Sequence, residues 1–174
     1  MSDGSPAPLQ WRPMTAADLA AVDDLSARIH PDFPERPEVL AEKFRLFPRG
    51  CFVLAAAPEG QPNGYCFSHP WTFGAPPALD TMLRALPEAA TAYFIHDLTV
   101  EASLRGRNFA STLVPRLFEA ARDAAIGRMM LVAVSGSTPF WMRMGFHRTG
   151  DETLQAATRA KYGAGAVHMN RDLA

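Results

Sequence analysis

The stretch Leu98-Thr99-Val100-Glu101-Ala102-Ser103-Leu104-Arg105-Gly106-Arg107-Asn108-Phe109-Ala110-Ser111 decides how this chain is read. It is the end of an apolar, β-prone run, Tyr93 to Val100, followed by a change of period: Phe109, Leu113, Leu117, Phe118, Ala121 and Ala125 recur at helical spacing. A strand therefore leads through a small, Gly-containing turn into a helix. Such a turn binds anions, because the first amides of a helix have no intrahelical acceptor and the helix dipole adds partial positive charge there. Arg105 and Arg107 add full charges, while Gly106 and Ala110 keep side chains out of the way of phosphate oxygens. The plain alternative is a polar loop capped by Asn108, itself a good capping residue.

Working outward, Leu9 to Met14 is expected to be a short strand, and Thr15 with Asp18 three residues on opens an Ala/Leu-rich helix to about Ile29. His30-Pro31-Asp32-Phe33-Pro34 ends that helix, and Pro37 can open a second through Leu46. Cys51 to Ala57 and Tyr65 to Trp71 suit a loop-connected antiparallel pair. From Thr72 to Thr91 runs a Pro/Ala-rich insertion with a helical turn or two around Ala78 to Leu86, a lid or a long connection. Beyond the central helix, Arg128 to Val134 is a buried strand, Ser137 to Met144 a short helix stopped by Gly145-Phe146, and Ala166 to Arg171 a last strand. The sum is an α/β fold with a mixed, mostly antiparallel central sheet flanked by helices on both faces.

With 174 residues, 48% of them hydrophobic, the chain builds one core of ordinary size. One domain is expected over residues 8–174, after a small, polar, Pro-containing tail at 1–7 read as disordered. Seventeen basic and 18 acidic residues nearly cancel, which leaves no net footprint for nucleic acid or an anionic membrane surface. An anionic ligand must be held locally. There is neither a signal-peptide pattern nor an apolar run of membrane-spanning length, and Cys51 and Cys66 are expected as free buried thiols, so a cytoplasmic protein is expected. His69, His96 and His147 lack zinc-ligand spacing, and no metal is expected.

In Arg105-Gly106-Arg107-Asn108-Phe109-Ala110 the chain resembles the cofactor loop of the GCN5-related N-acetyltransferase superfamily: Arg or Gln, two residues, Gly, one residue, Gly or Ala. Asn108 stands where the family usually has glycine, but Asn tolerates left-handed backbone and can keep the loop's shape. The family's later signature, an aromatic pair and then Gly-Phe, appears as Pro139-Phe140-Trp141-Met142-Arg143-Met144-Gly145-Phe146. Together the resemblance covers roughly residues 8 to 173, nearly the whole chain. Within the superfamily, His96-Asp97-Leu98-Thr99-Val100 and the run from Pro139 to His147 look most like the arylalkylamine N-acetyltransferase type.

The resemblance implies acetyl-CoA as cofactor and a direct transfer of its acetyl group to a primary amine in a ternary complex. It implies that Arg105, Gly106, Arg107, Asn108, Phe109, Ala110 and Ser111 hold the diphosphate, that Leu98, Thr99 and Val100 hydrogen-bond the pantetheine, and that Phe140 and Trp141 lie beside it. An ammonium cannot attack a carbonyl, so a base must take its proton. By analogy that base is His96, whose ordinary pKa lies near 6.5, with Asp97 beside it; a plain structural histidine is the alternative. Adjacent strand residues face opposite sides of a sheet, so only one of the two is expected in the cleft. A strand N–H between Leu98 and Val100 is the donor for the oxyanion.

The family often has a tyrosine, as acid for the leaving thiolate, where this chain has Trp141. Either the thiolate departs unprotonated or another group serves, Tyr65, Tyr93, Ser137, Cys66 and His147 being the conceivable ones, and packing is the plain role for Trp141. Phe33, Trp71 and Phe73 line an acceptor pocket on this reading, with His69 hydrogen-bonding there, although aromatic residues near strand ends commonly just pack. Two other readings stay open: a non-catalytic acyl-CoA sensor, motivated by Asn108 and Trp141, and an enzyme whose acceptor is a protein amino terminus or lysine. Dimers are common in the family, which makes a homodimer an expectation too.

Overall fold

The computed structural model describes residues 7–56 and 59–174. The tail expected to be disordered lies, but for Ala7, outside the described residues. Strand β1 (Gln10–Pro13) runs into a 3-10 turn and helix α1 (Leu19–Ile29), then α2 (Pro37–Leu46), β2 (Cys51–Ala55), β3 (Gly64–Trp71) and β4 (Ala92–Val100). A second half follows with α3 (Phe109–Asp123), β5 (Arg128–Ala133), α4 (Thr138–Arg143), β6 (His147–Arg148), α5 (Glu152–Tyr162) and β7 (Val167–Asp172). The sheet order is β1-β2-β3-β4-β5-β7-β6, and only β4 and β5 are parallel neighbours.

Local chemistry accounts for the element ends. Asp18 turns back at the start of the first helix to accept from the Thr15 amide and hydroxyl, at 2.8 and 2.9 Å, and from both arms of Arg12. That guanidinium, ahead of the Thr15 bonds, holds the Asp18 carboxyl below its ordinary pKa. Pro37 opens α2 at a position where its missing N–H costs nothing.

Two cores sit on the two faces of the sheet. On one, α3 and α4 bury Leu113, Leu117 and Trp141 against Cys66, Tyr93, Ile95, Met129 and Leu131. On the other, α1 and α2 bury Val22, Leu25 and Leu40 against Val53, Tyr65 and Phe67, and Phe94 and Met130 form a smaller cluster with Trp71 and Phe73.

Three features depart from the sequence reading. Helix α5 and the two-residue β6 were not anticipated; α5 starts where the Asp151 carboxylate accepts from the amides of Thr153 and Leu154 at 2.9 and 3.0 Å. The expected helical turns around Ala78 to Leu86 are absent, since Asp80 and Arg84 sit at φ +50° and +67°, which no right-handed helix admits. That segment is tied down instead: the Glu42 carboxylate of α2 accepts from the amides of Leu83 and Arg84, and Arg36 pairs with Asp80.

Candidate active site

Strand β4 stays paired with β5 only over Tyr93↔Met129, Phe94↔Met130 and Ile95↔Leu131, after which the two parallel strands part. From His96 onward β4 therefore has one free edge. The gap opens into a cavity of about 740 Å³ that reaches from the end of α1 (Ile29, His30), past β4, to the first turn of α3 and the start of α4. Pockets of this size hold drug-sized ligands.

At the α3 end, Gly106 has φ +77° and Asn108 φ +64°. A side chain on Gly106 would be strained at that φ, yet an added Cβ would meet nothing within 4 Å, so the space in front of the turn is open. Asn108 keeps the left-handed shape expected of it, but its side chain makes no cap bond; the helix begins without the capping that the plain alternative required. The amides of Arg105 and Arg107 reach back to the carbonyls of Ala102 and Leu104, but within α3 Thr112 is the first whose amide does so, to Asn108 at 3.2 Å, which leaves the amides of Phe109 to Ser111 for a ligand. The buried Trp11 on β1 fixes this turn through an indole N–H donated to the Phe109 carbonyl at 2.7 Å.

Of the residues expected to hold a cofactor, Leu98, Thr99, Val100, Arg105, Gly106, Asn108, Phe109, Ala110, Ser111, Phe140 and Trp141 all line the cavity. Arg107 does not; its guanidinium lies over the Phe109 ring, 5.6 Å from the centroid. Trp141 combines two roles, being buried against Phe140 and Phe146 and also lining the cavity.

His96 and Asp97 both line the cavity, and the expectation that only one could is corrected by a β-bulge. Phe67 pairs with Asp97 and Ser68 with Ile95, so His96 is an extra residue in β4. The inserted residue lets His96 and Asp97 share the face that carries Phe94 and Tyr65, while Ile95 and Leu98 stay on the other. Asp97 accepts from the Tyr65 hydroxyl and the Thr99 hydroxyl, each at 2.8 Å, and His30 meets Thr99 Oγ1 at 3.1 Å. Burial, then the Asp97 charge, pushes the Tyr65 phenol well above its ordinary value, so it stays a donor.

His96 Nδ1 lies 3.0 Å from Nε2 of the buried His69, and burial drives His96 well below its ordinary pKa. Sequence reasoning placed His69 near an acceptor pocket but gave no sign of this contact across 27 residues, nor of His30. Phe33, Trp71 and Phe73 do not line the cavity. Phe33 is exposed, Trp71 donates to the Ala75 carbonyl at 2.8 Å, and Phe73 packs against His168 and under Arg128. Among the five conceivable proton donors only Ser137 borders the cavity; Tyr65, Tyr93 and Cys66 are buried with raised pKa values, and His147 is exposed on β6. Among the described residues no group of three or more His, Cys, Asp or Glu could hold a metal ion, and no helix is long and apolar enough to cross a membrane.

A family model described as the acetyltransferase (GNAT) family matches residues 19–146. No curated protein matches the chain by sequence. Among solved structures, the loading GNATL domain of CurA from Lyngbya majuscula is similar with a TM-score of 0.73 at 12% identity, over 95% of this chain and 98% of that one. The GphF GNAT-like decarboxylase in complex with isobutyryl-CoA gives 0.71 at 20% identity, over 95% and 100%. Rv2747 from Mycobacterium tuberculosis in complex with CoA and NLQ gives 0.64 at 16%, over 94% and 99%. At such identities the likeness is one of fold.

Proposed function

The chain belongs to the acetyltransferase (GNAT) family, and from that premise we propose that it moves an acetyl group from acetyl-CoA to a small primary amine by direct attack in a ternary complex. The observation that carries this reading is the cavity itself, which joins an anion-binding helix start to a strand edge that has lost its neighbour, with a histidine and a carboxylate on the same wall. The donor set suits the cofactor: free first-turn amides, an open left-handed turn at Gly106 and Asn108, and Arg105 at its rim all favour a diphosphate. CoA and isobutyryl-CoA in two of the structural neighbours support the same choice.

Bound there, acetyl-CoA supplies an acetyl group activated as a thioester. The free edge of β4 between Leu98 and Val100 offers backbone amides to the pantetheine arm in the manner of an added strand, and one strand N–H faces the carbonyl oxygen as it gains charge. Asp97 draws the acceptor's ammonium to that wall, and His96 takes a proton from it, freeing the nitrogen lone pair for attack at the carbonyl carbon. As a C–N bond replaces the C–S bond, the nitrogen gives up its second proton to the departing thiolate, and Ser137 lines the same cavity.

A thiol-release assay with acetyl-CoA over matched panels of small amines and peptides tests the reading. Turnover is expected on small primary amines. Tight CoA binding with no release on any acceptor would instead make the chain a sensor, and release on peptides alone would move the acceptor to protein.

A further inference from the structure

We propose that His69 is a positioning residue for His96: through one hydrogen bond it fixes the proton of His96 on Nδ1 and leaves Nε2 with the lone pair that an incoming ammonium requires. The role in turnover rests on the acyl-transfer reading above; the tautomer does not.

Hydrogen-bonding roles along the chain Pro70, His69, His96 are forced by chemistry. The Pro70 carbonyl can only accept, so His69 Nδ1, 2.9 Å away, must be its donor. His69 is 1% exposed, and burial pushes its pKa down to about 4, so at neutral pH it carries no second proton. Its Nε2 is then a lone pair, and His96 Nδ1, 3.0 Å from it, must be the donor of that bond. Neutral imidazole has one proton, so Nε2 of His96 is the acceptor. With the opposite tautomer, two lone pairs would face each other between the rings and an N–H would face the ammonium, so no proton could be taken up.

Packing holds the pair in this arrangement. In register, His69 sits opposite Phe94, and the bulge swings His96 onto their face. The three rings lie with centroids 5.0 to 5.7 Å apart, and Trp71 closes the far side of His69 at 5.4 Å. The charged groups around the pair have partners of their own. Lys43 of α2 is held by both oxygens of Glu35 at 2.7 Å, Asp97 by Tyr65 and Thr99, His30 by Thr99, and His168 of β7 by Thr149. Lys43 adds to burial in keeping both imidazoles neutral. When an N–H bond of the ammonium breaks, its proton goes to His96 Nε2. The imidazolium so formed keeps donating Nδ1–H to His69.

Long-range ¹H–¹⁵N correlation spectra of the ¹⁵N-labelled protein, free of ligand at neutral pH, read the tautomers directly. Both His69 and His96 are expected as the Nδ1–H form, and a predominantly Nε2–H His96 would overturn the proposal whatever the enzyme does. In His69→Phe, His96 is expected to lose its single tautomer and kcat to drop about tenfold or more, with the KM for acetyl-CoA unchanged. His69→Gln, whose side-chain oxygen can take the same bond, should recover most of kcat. Wild-type kcat together with an unchanged His96 tautomer in His69→Phe also contradicts the proposal. Should the Phe variant not fold, the wild-type spectrum still decides. Expected tautomers without turnover on any amine would support the pairing and remove the acyl-transfer reading.

Discussion

From Tyr93 to Ile95, β4 is paired on both edges and its side chains are buried; from His96 on, the β5 edge is free, the register slips by one residue, and His96, Asp97 and Leu98 are only half-covered. The first half is ordinary sheet, with Tyr93 and Ile95 filling one core and Phe94 another. The second half gives up the ladder to β5, and over His96 to Leu98 burial as well, and there the polar side chains gather. One strand thus carries both scaffold and site, and the boundary between them is a bulge. Mutations on the two sides should fail in different currencies, stability on one and turnover on the other.

The largest effect is expected on the scaffold side. Phe94→Ala removes a ring that is 1% exposed and should cost about 3–5 kcal/mol in denaturant unfolding; a loss below about 1 kcal/mol would contradict the division of the strand. Acid should reveal a related weakness. His69 and His168 are buried and pushed down to about 4 from 6.5, so each folded imidazole resists a proton that the unfolded chain accepts. Their contribution is complete above pH 6.5 and is lost as pH falls towards 4, on the order of 3 kcal/mol for each. Unfolding followed from pH 7 to 4 should show that decline, and His168→Gln should flatten it.

On the site side, His96→Ala should lower kcat by about 100-fold or more while unfolding stays close to wild type. A large stability loss with unchanged kcat would return His96 to the scaffold. The smallest expected effect is at the cavity's rim: Arg105→Ala should weaken CoA binding about tenfold in calorimetric titration and leave kcat nearly unchanged, because the contact is made in the ground state.

The sequence made the regular half of β4 easier to read than the irregular half. Apolar runs such as Tyr93 to Ile95 and the stripe Leu113, Leu117 and Ala121 announce their period because burial selects for it. The left-handed loop at Gly106 and Asn108 was legible because few residues tolerate that backbone. The bulge was not. Alternation put His96 and Asp97 on opposite faces, and no local signal marks an inserted residue whose cause is the pairing with β3. Helix α5 escaped for another reason: its fully buried residues are Gln155 and Thr158, which bond backbone and so leave no apolar stripe, although Asp151 and Gly163 stood as caps at its ends. Trp71 and Phe73 were read as lining an acceptor pocket, with packing as the plain alternative for aromatic residues near strand ends; they pack against the cluster around Phe94 and Met130.

A crystal structure with acetyl-CoA tests the account most directly. It should show the diphosphate oxygens on the amides at the start of α3, beside Gly106 and Asn108, with the pantetheine arm along Leu98 to Val100 and the thioester in the gap between β4 and β5. A nucleotide bound away from that turn, or a pantetheine that does not enter the gap, would contradict it.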